Sequence, residues 1–179
     1  MRWQNRILFA ASLILFPAFA APRSIALEAE NAMILRNQAV SYSQEGYYNK
    51  AEASAKKALE ILEHCFGPND ISLVPALNVL GETYVAQGRY IDAKAALERA
   101  IAIGPVAGAH YGTALHNLAA VYQCERQLDK AREFYGRALV AREATLPAGH
   151  PFIAVTRAAL ESLDQKSTRQ RKSFAVSLR

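Results

Sequence analysis

The chain repeats itself at a spacing of about forty residues, and no other feature restricts its fold as much. Leu35, Leu77 and Leu115 open three similar segments, 42 and then 38 residues apart. The same kinds of residue recur in register behind each leucine: Ala39, Gly81 and Ala119; Tyr42, Tyr84 and Tyr122; Ala51, Ala93 and Ala131; Ala58, Ala100 and Ala138. Leu77, Leu80, Gly81 and Tyr84 lie at i, i+3, i+4 and i+7, one face of a helix, and Ala93, Leu97, Ala100 and Ile101 do the same on a second. Only Gln87-Gly88-Arg89 separates the two patterns, so the helices turn back on one another as antiparallel neighbours. Gly81 and Ala93 offer small residues where their axes cross. Gly46 and Gly88 end the first helix of a pair, while Gly67-Pro68, Gly104-Pro105 and Pro147 separate one pair from the next.

One such pair cannot bury its apolar face alone. Three stacked pairs can, and a further helix over about 152–165 closes the stack. Ile153, Leu160 and Leu163 give that helix its apolar face, and Glu161 stands where the pairs have a small residue, which suits a polar outer side. These residues resemble the tetratricopeptide-repeat family, in its 42-residue kinesin-light-chain variety. The local matches are FGPNDISLVPALNVLGETY (Phe66 to Tyr84) and GYYNKAEASAKKALEIL (Gly46 to Leu62), and the resemblance covers roughly 32–163. It implies an all-α, right-handed superhelical solenoid of about three helix-turn-helix repeats plus a C-terminal capping helix. Three residues depart from the pattern. Arg126 replaces the turn glycine, Gln38 replaces a leucine, and Pro75 sits near the start of its helix, where it is tolerated in the first turn.

The ends differ from this body. Arg2 and Arg6, the apolar run Ile7 to Phe16, and Ala18-Phe19-Ala20 make a secretory signal peptide over residues 1–20, with cleavage after Ala20. Cleavage one residue later would leave Pro22 first. The rival is a membrane anchor, but a span needs about 20 apolar residues, and Ile7 to Ala21 is shorter and holds Pro17. The expected location is therefore periplasmic or secreted, with no stable membrane span after cleavage. The tail, residues 166–179, carries Lys166, Arg169, Arg171, Lys172 and Arg179 without an acid, and is expected to be disordered. The whole chain has 21 basic and 16 acidic residues, but the excess lies at these ends. The domain between, 21–165, is slightly acidic, which argues against nucleic acid as a partner.

No constellation of catalytic groups stands out, so the chain reads as a non-enzyme without cofactor or metal. His64, His110, His116 and His150 are not spaced to converge, and there is no phosphate loop or nucleophile elbow. The tyrosines and alanines read as core. In the family that the chain resembles, the first helix of each pair lines a concave groove. Its positions here are Arg36, Asn37, Val40, Asn78, Glu82, His116, Asn117 and Gln123. Asparagine suits a peptide backbone because its amide donates and accepts at once, and Asn37 and Asn117 match the groove asparagine of the kinesin-light-chain repeats. The second repeat has Val79 there, with Asn78 beside it. The alternative is that these are ordinary polar surface residues. A single groove arginine does not support binding of carboxylate tails. The leading expectation is an exported scaffold or adaptor for a protein or peptide. The runner-up is an accessory or regulatory subunit of a cell-envelope enzyme, or a weak enzyme.

Overall fold

The computed structural model describes the backbone of residues 21–177 and the side chains of residues 24–165 apart from Ala107. The expected signal peptide lies outside the described residues. Seven α-helices follow one another: α1 (Ala21–Gln44), α2 (Tyr48–Phe66), α3 (Val74–Ala86), α4 (Tyr90–Ile103), α5 (Ala109–Cys124), α6 (Leu128–Thr145) and α7 (Pro151–Ser177). Single 3-10 turns, Ile71–Leu73 and Pro105–Ala107, lead into α3 and α5. No strand occurs among the described residues. The helices α1 with α2, α3 with α4, and α5 with α6 pack as pairs, and the first helices also touch in succession, α1 to α3 and α3 to α5. The second helix of each pair packs on the first helix of the next, and α6 passes the stack on to α7. None of the described helices is long and apolar enough to cross a membrane.

The three tight turns share one hydrogen-bond pattern. Gly88 donates its amide to Val85 O at 3.0 Å and Arg89 to Tyr84 O at 2.8 Å; Gly46 and Tyr47 repeat this on Ser43 and Tyr42, and Arg126 and Gln127 on Gln123 and Tyr122. The middle residue takes a positive φ in each case, 81° at Gly46, 73° at Gly88 and 60° at Arg126. The departure from glycine at 126 thus leaves the shape of the turn intact. It places a side chain in the left-handed region, where contact with the following carbonyl costs roughly 1–2 kcal/mol.

The recurrent alanines are the floor of the core. Ala39, Ala51, Ala58, Ala93, Ala100, Ala119, Ala131 and Ala138 are all fully buried, and Leu77, Leu97, Leu115, Leu118 and Leu163 fill the space between them. Gly81 comes closest to Leu97: a Cβ on Gly81 would lie 2.6 Å from Leu97 Cγ. Pro75 stands in the first turn of α3, and the helix begins before it, at Val74.

Polar rungs join consecutive pairs. Tyr84 donates its hydroxyl to Glu52 at 3.2 Å, and Lys56 and Arg89 both pair with that carboxylate at 2.7 Å. Burial pushes the Glu52 carboxyl up, but these two cations and the Tyr84 bond outweigh it and leave it below the usual range. At the equivalent place in the next pair Lys94 binds Glu125 at 2.7 Å, and in the third Arg132 binds Asp164 of α7 at 2.7 Å. Each exposed ion pair contributes under about 1 kcal/mol, so the rungs set register more than they add stability.

At two positions of the repeat the end helices carry polar residues where the interior ones do not. Gln38 is exposed, while its counterparts Leu80 and Leu118 are buried. Glu161 is likewise exposed where Ala39, Gly81 and Ala119 are enclosed. The capping helix is longer than the pattern predicts: the backbone of residues 166–177, expected to be a disordered tail, continues α7. No glycine or proline follows Pro151 to stop it.

Candidate functional site

The first helices bring part of the expected groove together. Asn37 is exposed on α1, and its Oδ1 accepts from Arg36 Nε and Nη2 at 3.3 and 3.0 Å. Met33 and Val40 are exposed beside it on the same helix. Glu82 is exposed on α3 and takes a hydrogen bond from Asn117 Nδ2 of α5 at 2.7 Å. Asn117 and Glu82 thus form a polar bridge between two adjacent first helices. His110, at the start of α5, lies within the field of Arg36; burial first, and that guanidinium second, hold its imidazole below the usual histidine range.

Three expected groove residues belong elsewhere. Asn78 is buried, and its Nδ2 donates to His110 O at 2.9 Å, tying α3 to the start of α5. It is a tether between pairs and does not face solvent. Its Oδ1 is buried without a partner. His116 does not face an open groove either. Its ring stands edge-on to Tyr135 of α6 at 5.0 Å, and its Nδ1 lies 3.2 Å from Thr156 Oγ1 of α7. Burial, and then the Arg142 charge, depress its pKa to about 4. Gln123 is half-buried and takes the Tyr135 hydroxyl on Oε1 at 3.1 Å. For Asn78 and His116 the physical reason is common: the residue points along the stack, and the next unit reaches over it. Gln123 is instead held by the second helix of its own pair.

The pattern missed Arg142. This side chain, in the last turn of α6, is 97% buried (3% exposed), and among the described residues no carboxylate stands within ion-pair distance of it. Its Nη1 donates to Phe152 O at 2.9 Å and to Thr156 Oγ1, its carbon rests 5.2 Å from the Phe152 ring centre, and its Nε has no partner. Burial holds its pKa down, and Glu82 partly offsets this. A signal was present. Arg142 occupies the place that Leu62 has in the first repeat, and Gly112 that of Ala32. Leu62 and Ala32 share one core cluster; in the third repeat a Cβ on Gly112 would come 2.8 Å from Arg142 Cγ. The glycine makes room for the larger side chain. Among the described residues no three of His, Cys, Asp and Glu gather as a metal site.

The family pattern described as tetratricopeptide repeat matches residues 30–105 and again 112–152. A crystal structure from Podosopora anserina, of kinesin-light-chain-type, nearly identical TPR-like repeats, superposes with a TM-score of 0.67 at 19% identity, covering 81% of this chain and 70% of that one. BtubC (BKLC) from P. vanneervenii superposes with a TM-score of 0.59 at 18% identity, covering 80% of this chain and 64% of that one. At these identities the likeness is one of fold. No curated protein matches the sequence. Two matched stretches that together span most of the helix pairs, with the shared architecture, place the chain in the tetratricopeptide-repeat family.

Proposed function

We propose that this chain is an exported binding module that holds an extended segment of another protein against the layer formed by α1, α3 and α5. Repeats of this family commonly mediate protein–protein interaction. The observation that carries the reading is the amide and carboxylate row of exposed Asn37 and Glu82 and half-buried Asn117, drawn from three successive first helices. An asparagine amide meets both groups of a peptide unit, and residues on rigid helices keep such contacts in fixed register. The N-terminal segment supports export: a basic start, an apolar run and a small-residue cleavage pattern. N-terminal sequencing of protein from fractionated cells is expected to find Ala21 first, outside the cytoplasm; a cytosolic chain beginning at Met1 overturns that part.

A pull-down from the cell envelope supplies the partner, and titration calorimetry tests the surface. Asn37→Ala and Asn117→Ala are each expected to weaken binding by about 1 kcal/mol, several-fold in affinity. Lys57→Ala, on the exposed side of α2, leaves it unchanged. If the double asparagine variant folds normally and binds as tightly as the parent, the partner uses another surface.

A further inference from the structure

Two histidines from outside α7 meet its first turns. His150 precedes the helix, and its Nδ1 accepts the Phe152 amide at 3.2 Å. Only an unprotonated nitrogen can do this. The His150 ring packs edge-on against Phe152 at 5.0 Å, the residue whose carbonyl Arg142 grips. One turn on, Thr156 is fully buried between that same Arg142 and His116 Nδ1. A proton on His116 would put a second cation beside a guanidinium that has no acid in contact.

We propose that α7 is an acid-released arm, docked on α5 and α6 while His116 is uncharged and loosened when that ring takes up a proton. The charged and titratable groups around the joint give little relief. From α3 comes Glu82, which acts on Arg142 and is already engaged by Asn117. From α6 come Arg142 itself and Tyr135, whose hydroxyl burial keeps un-ionised. From α7 come Arg157, held by Glu143 of α6 at 2.8 Å, and Asp164, paired with Arg132 of α6 at 2.7 Å. His116 in the docked form titrates near 4, against an ordinary value of 6.5. The undocked form therefore binds the extra proton, and docking strengthens with rising pH across that interval and weakens as pH falls from 6.5 towards 4. His116 alone is expected to reduce the docking constant by up to roughly thirtyfold between pH 7.5 and pH 5. Release uncovers the cluster of Ala119, Ala131 and Tyr135 that Leu163 now closes. This inference stands on the joint and not on the peptide-binding reading.

Hydrogen exchange of the full chain, expressed as protection factors, tests it. Between pH 7.5 and pH 5 the amides of residues 151–165 are expected to lose protection by ten- to thirtyfold, while those of α3 and α4 change little. The variant His116→Gln keeps a polar side chain at the joint and cannot charge, so its α7 protection is expected to stay constant. Equal loss in α3 and α7, or equal loss in the variant, overturns the proposal. Should the variant fail to dock at pH 7.5, nuclear magnetic resonance titration of His116 in the parent decides: a midpoint well below 6.5 supports the arm, and one at or above 6.5 overturns it.

Discussion

Arg126 holds a backbone angle that its equivalents Gly46 and Gly88 reach without a Cβ. The left-handed strain is roughly 1–2 kcal/mol, and glycine gives back about 0.4–1 kcal/mol through its looser unfolded chain. Arg126→Gly is therefore expected to stabilise the protein by about 0.5–1 kcal/mol in urea unfolding, with the slope unchanged. Gly81 is the opposite case. Alanine there gains about 1 kcal/mol of helix propensity, but its methyl would strike the fully buried Leu97, and overpacking costs about 1–3 kcal/mol. A net loss of about 1 kcal/mol is expected from the same measurement; an unchanged midpoint would mean that α3 and α4 can separate. Asn78 parts company with the other two asparagines. Asn78→Ala leaves the His110 carbonyl without its donor and is expected to cost about 1 kcal/mol, whereas Asn37→Ala and Asn117→Ala change stability by less than about 0.5 kcal/mol.

At the scale of the helix, the repeat made the pairs legible because small and apolar residues recur at fixed offsets and pack the same way each time. Leucine and alanine at those offsets read as core and are core. The candidate site was legible only in part. Arg36, Asn78 and His116 hold equivalent places, yet one is half-buried on α1, one is a tether and one is locked against α7. Their fates depend on what the next pair presents, a carbonyl in one case and a buried threonine in the other, and offsets within a repeat carry no record of that. Arg142 and Gly112 show the same limit from the other side, since the exchange for Leu62 and Ala32 makes sense only when both members are seen together. Arg142→Ala is expected to destabilise the protein by about 2–4 kcal/mol through the void and the lost hydrogen bonds to Phe152 and Thr156. Arg142→Met fills most of the volume without a charge and should cost much less. Chemical unfolding of the two variants separates the lost packing from the lost charge; equal losses would mean that the charge, and not the volume, holds α7.

Across the whole molecule, alternation of helix direction separates the two cysteines. Cys65 lies in the last turn of α2, near the start of α3, and Cys124 ends α5, beside the start of α6. Starts and ends of the first helices fall on opposite sides of the stack, one helix length apart, roughly 20 Å for some 13 to 16 residues. A disulfide needs Cα atoms within about 7 Å. Both thiols are free in the structure, and titration of the denatured, unreduced monomer is expected to find two. Finding none in a monomer would contradict the up-and-down order of the helices. The polar residues at the two ends have a consequence for how such a chain can lengthen. Copying a helix pair and inserting it between existing pairs presents apolar surface to apolar surface on both sides. Adding the same pair beyond α1 or α7 would press it onto Gln38 or Glu161, an amide or a carboxylate with nothing to receive it. Duplication can therefore enlarge this protein from the middle, while growth at either end first requires those two residues to change.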